Sequence, residues 1–173
     1  MKIKIPKSLV YTSILIYITS TIFGFIFAQN LEDSFDTINN IYEKTPFDYI
    51  LHNGKILLAL ILGVITFGLS TIYMVIMNGV FLGLSIYHTY HSQSILFTIL
   101  SILPHGIFEI PAIILASSLG LSPLYMIFKT LKGDKLKISF KTISINILII
   151  ISLLIIAAIV ESYITQNLVN NFF

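Results

Sequence analysis

Two ionisable side chains lie four residues apart in the middle of an apolar run. They are His105 and Glu109 of "LPHGIFEIPA" (103–112), with Pro104 and Pro111 beside them. On a helix this spacing puts both on one face, about 6 Å apart along the axis. Such a pair can share a proton, form an ion pair, or supply two ligands to a metal ion. A divalent ion would need a third ligand from another segment, and Glu161 is the candidate, giving His105, Glu109 and Glu161 as a metal set. Asn78 is the remaining candidate for a buried polar network with these three. The zinc-protease pattern H-E-x-x-H is absent, and no catalytic residue can be assigned.

The surrounding composition says why these groups stand out. The chain has 173 residues, of which 56% are hydrophobic and only 10% charged. Mean hydropathy is +0.94. A soluble domain has about a quarter of its residues charged, so this surface must be covered largely by lipid. The net charge is only +2, and every basic residue is a lysine, spread over the ends of apolar segments. That leaves no nucleic-acid-binding surface. With no cysteine there is no disulfide and no thiolate metal site.

Five apolar segments are long enough to cross a bilayer: about 9–28, 54–69, 71–90, 95–120 and 142–164. The expected fold is therefore an all-α, polytopic transmembrane helix bundle forming a single domain. The first segment follows Lys2, Lys4 and Lys7, as in a signal peptide, but its apolar run is longer than a typical signal core. It is read as a retained helix. The second and third segments are joined by an uncharged turn at "GLSTIY" (68–73). The fourth is expected to be kinked or broken near Pro104, which removes one backbone hydrogen bond, with Gly106 adding freedom.

Loop charge sets the orientation. The N-terminal lysines and the group Lys129, Lys132, Lys135, Lys137 and Lys141 belong in the cytoplasm by the positive-inside rule. The acidic stretch 29–50 belongs outside, and five spans then leave the C-terminus outside. Leu31, Phe35, Ile38 and Tyr42 fall on one face, so 31–44 reads as an outer interfacial helix. "TPFD" (45–48) starts a further helix, with Thr45 as N-cap and Asp48 as the capping-box acid. "SPLYMIFKTLK" (122–132) reads as an inner interfacial helix. His52, His88 and His91 fall at outer helix ends and read as solvated interface residues.

Small residues mark close helix contacts. Gly79 and Gly83 form a GxxxG, and Ala112, Ala116 and Gly120 a similar stripe. Either stripe can serve contacts within the chain or between copies, and the expected partners, besides the lipid bilayer, are a second copy in a homodimer or other membrane proteins. For straight helices Glu161 lies roughly 10 Å outward of His105, so it joins the site only if a helix is broken or tilted.

These residues carry a resemblance. "PHGIFEIPA" is similar to the PHG-x-x-E-x-P-A signature of the stage II sporulation protein M family of integral membrane proteins. "HNGK" (52–55), with Asn53 as the segment begins, "NGVFLG" (78–83) and "AAIVESYIT" (157–165) resemble its other landmarks in order, over about 45–165. The resemblance implies a cell-membrane protein of about five spans. It maps the family's motif residues onto His105, Gly106, Glu109, Pro111 and Glu161. The family's namesake is a membrane scaffold that works with peptidoglycan-cleaving partners during forespore engulfment.

Three functions follow from this reading. The first is a membrane scaffold or assembly protein in which His105 and Glu109 form a structural staple. The second is a small transporter or permease-like subunit binding an ion or proton there. The third is an intramembrane metalloenzyme, which would need an open metal position and a water path to it.

Overall fold

The structure is a computed structural model that describes residues 5–31, 45–133 and 140–172. All the regular structure in these residues is helical. The expected outer interfacial helix over 31–44 falls, apart from Leu31, outside the described residues.

Helix α1 runs from Lys7 to Ala28, α2 from Pro46 to Ile61, α3 from Leu69 to Ser92 and α4 from Ile95 to Gly120. A shorter α5 (Ser122–Leu131) follows, then α6 (Phe140–Ile159) and α7 (Gln166–Phe172). A π-helical stretch, Val160–Thr165, joins α6 to α7. Among the described residues five stretches are long and apolar enough to cross a membrane: Lys7–Ala28, Pro46–Val64, Leu69–Ser92, Ile95–Gly120 and Lys141–Val169. Many large apolar side chains on these helices face outward, as lipid requires.

The ends of the elements follow local chemistry. Thr45 caps α2 in a full capping box: its hydroxyl accepts from the Asp48 backbone N–H, and the Asp48 carboxylate accepts from the Thr45 backbone. Pro46 occupies the first turn, where its missing N–H costs nothing. The helix that "TPFD" starts is thus the second span itself, which begins at Pro46 and not near residue 54. That earlier start lengthens the second span to Pro46–Val64. The turn between α2 and α3 also comes earlier than 68–73. A 3-10 turn at Leu62–Val64 leads to Phe67 and Gly68, both with positive φ (53° and 88°). The left-handed pair reverses the chain, and the Gly68 N–H bonds the Gly63 carbonyl at 2.7 Å. Ser94 caps α4 by accepting from the Phe97 N–H at 3.1 Å.

Helix α4 is the axis of the bundle and packs against α1, α2, α3, α6 and α7. It runs as one helix with Pro104 and Pro111 inside it, so it is not broken at Pro104. The departure from α-helical geometry lies in the last span, at Val160–Thr165. From Ala112 to Gly120 nearly every residue of α4 is buried.

Helices α1 and α3 share the most extensive contact. The buried face of α1 is small and polar: Ser13, Tyr17, Ser20, Gly24 and Ala28, with Leu9. A Cβ added at Gly79 would lie 2.0 Å from Ser20 Oγ, and one at Gly83 2.1 Å from the Thr21 carbonyl. One at Gly24 would lie 2.2 Å from the Val80 carbonyl. Backbones approach this closely only where side chains are absent. The second stripe is also used inside the chain. Ala112 and Ala116 are fully buried, and a Cβ at Gly120 would sit 2.2 Å from the Leu60 carbonyl. Both stripes are therefore covered by the chain's own helices.

Candidate functional site

The chain course brings the start of α2, the middle of α4 and the π-helical stretch together. Asp48, Tyr49, His52 and Asn53 recur at one and four residues along α2, which makes a single polar face on its first two turns. That face, with Glu109 of α4 and Glu161 of the π-helical stretch, lines a cleft of about 340 Å³. Beyond this polar stretch the same face of α2 turns apolar at Ile56, Leu57 and Leu60.

A second cavity, of about 180 Å³, lies on the other side of His52 and Glu109. Tyr17 of α1, Asn78 and Phe81 of α3, and His105 and Gly106 of α4 contribute to its walls. His52 and Glu109 line both cavities, so they form the partition between them. Toward the far ends of α2 and α4 the space narrows to about 10 Å³ between Leu57, Leu60, Ala112, Ile113, Ala116 and Leu154. The two cavities therefore end against packed apolar residues.

His105 and Glu109 lie four residues apart on α4 and both border the second cavity, but they do not bond each other. His105 Nδ1 pairs with Thr165 Oγ1 at 3.5 Å, a long contact. The Glu109 carboxyl makes no hydrogen bond with the described residues. Asn78 donates from Nδ2 to the Met74 carbonyl at 2.7 Å, within its own helix, and borders the cavity beside His105 and Glu109. Among the described residues no three His, Asp or Glu side chains converge closely enough to hold a metal ion. The set His105, Glu109 and Glu161 is divided between the two cavities: His105 borders only the second and Glu161 only the first.

The π-helical stretch explains how Glu161 reaches the cleft. One extra residue per turn shifts the side chains around the helix axis, and such bulges recur at functional sites. In the same stretch Thr165 is buried and meets His105. The next residue, Gln166, donates to the Tyr49 hydroxyl at 3.1 Å. These contacts tie the end of the last span to α4 and α2.

Asn53 was singled out from the sequence only as a landmark, and His52 as a solvated residue. Asn53 is 4% exposed and its Nδ2 has no hydrogen-bond partner among the described residues. Buried polar groups are rarely left so, and each exception needs a cause. His52 is exposed, but its position on the partition puts it at the site. His88 and His91 lie near the exposed end of α3, where His91 packs on Tyr87 with ring centroids 4.2 Å apart.

Comparison with known proteins gives a consistent frame. Residues 13–166 match the family model described as stage II sporulation protein M. The chain is 33% identical over 182 residues to an uncharacterized protein of Methanocaldococcus jannaschii, covering 95% of this chain and 96% of that protein. No solved structure matches.

Proposed function

The chain belongs to the stage II sporulation protein M family, and we propose that it is a permease-like membrane protein that takes a proton or small cation into the cleft ending at Glu109. The observation that carries this reading is the cleft itself. Asp48, Glu109 and Glu161 line it, with His52 and Asn53, and no lysine does. Glu109 sits fourteen residues into a 26-residue helix, near mid-membrane, with a carboxyl that no described residue bonds. Water reaching it through the cleft would lower the cost of its charge, and a cation would lower it further. By the positive-inside rule the cleft opens outward, because α2 starts and the last span ends on that side.

A scaffold reading keeps one supporting feature, the packed apolar residues that close the space beyond Glu109. It loses the staple, since His105 bonds Thr165 and not Glu109. Flux separates the two. Protein reconstituted into liposomes with an internal pH-sensitive dye should respond to an imposed cation gradient. Glu109→Gln should abolish that response and leave the thermal unfolding midpoint close to wild type. A wild-type response equal to that of protein-free liposomes would favour the scaffold.

A further inference from the structure

Beyond the cleft, between α2 and α4, lies the small space of about 10 Å³. Its walls are apolar apart from two residues, Asn53 and Glu109, which also line the cleft. Leu60, Ala112 and Ala116 of these walls are almost wholly buried, so they are packed from behind. Asn53 is 4% exposed, and its Nδ2 has no hydrogen-bond partner among the described residues. The Glu109 carboxyl makes none with them either, although both residues border the same space. An amide N–H can only donate, so Nδ2 lacks an acceptor. An ionised carboxylate can only accept, so Glu109 lacks a donor.

Water supplies both, and a space of this size holds one molecule. We propose that a single water lodges here and makes Asn53 the positioning residue of Glu109: Nδ2 donates to the water oxygen, and the water donates to the carboxylate. The other occupants fit worse. A cation would face the amide N–H, and an apolar group would leave both polar groups unpaired. The water holds one carboxylate oxygen on the apolar side and leaves the other to the cleft, where Asp48, His52 and Glu161 stand. A cation entering the cleft therefore meets Glu109 from one side and is kept out of the space behind it. This role rests on the cation-binding reading above and adds the residue that orients its carboxylate.

The test is infrared difference spectroscopy between neutral and acid pH on the whole protein in lipid nanodiscs. The carboxyl band of Glu109 is the one lost in Glu109→Gln. In the wild type it should lie where a hydrogen-bonded carboxyl absorbs, accompanied by a water O–H band that moves in heavy-oxygen water. Asn53→Leu removes the donor and fills the space, so the water band should vanish and the carboxyl band shift toward the free-carboxyl position. Asn53→Val gives the same test if Asn53→Leu folds poorly. Asn53→Ser keeps a donor and leaves room for water, so it should restore both bands. Sodium chloride should deplete the Glu109 carboxyl band, because the ion competes with the proton. Tetrabutylammonium chloride, whose charge its butyl groups shield, should not. Equal effects of the two salts would sink the cation reading and this role with it. A sodium effect with both bands unaltered in the apolar Asn53 variants, or with no recovery in Asn53→Ser, would overturn this role alone.

Discussion

Asn53 lines the acidic cleft, and its buried Nδ2 has no hydrogen-bond partner among the described residues. Leaving such a group unpaired costs about 1–3 kcal/mol, whereas an apolar group of similar shape avoids the cost. Asn53→Leu is therefore expected to leave stability unchanged or raise it by about 1 kcal/mol. Thermal unfolding checks this, and a clear loss of stability would show that the amide is structural. The sequence marks His105, Glu109 and Glu161 because charged types are rare in apolar runs. It does not mark what they touch. His105 turns to Thr165, sixty residues away, and no local pattern announces that contact. Asn53 looked ordinary because it stands near a helix start, where polar residues are common.

Elements were more legible than contacts. The capping box at Thr45–Asp48 and the Ser94 cap are written in the sequence, and α4 begins and ends where its apolar run does. The second span was harder, because its first turns carry the polar face that lines the cleft and so look like loop. The π-helical stretch has no such signal, since "VESYIT" contains neither proline nor glycine. The small-residue stripes were visible, but a stripe does not say which helix covers it. The answer lay in α1, whose Ser13, Ser20 and Gly24 form the matching face. Gly83→Leu should thus separate α1 from α3 and destabilise the fold by about 2–3 kcal/mol, as overpacking does at tight contacts. Because the contact lies within one chain, the loss should not depend on protein concentration. Unfolding measured over a range of concentrations in one detergent decides it, and a concentration-dependent loss would assign the stripe to self-association.

At the scale of the whole molecule, the described helices form a bundle with two unequal halves. Toward the start of α2 and the end of the last span, polar side chains surround open space. Toward the other end, Ala112, Ile113, Ala116, Ser117 and Ser118 of α4 are buried, and Ser13 meets Ser118 at 3.5 Å. Ser117 and Ser118 satisfy their hydroxyls on carbonyls of their own helix, so that half needs no water. On the proposed reading Glu109 is reached from one side of the membrane only, and lysine placement predicts that this is the outer side. The chain contains no cysteine, so a single one can be read without background. The most direct measurement is therefore the sidedness of labelling at Glu109→Cys with a small, membrane-impermeant cationic thiol reagent. Reagent added outside should modify the residue, and reagent confined to the inside should leave it untouched. Modification from neither side, or from the inside alone, would contradict an outward cleft that ends at Glu109.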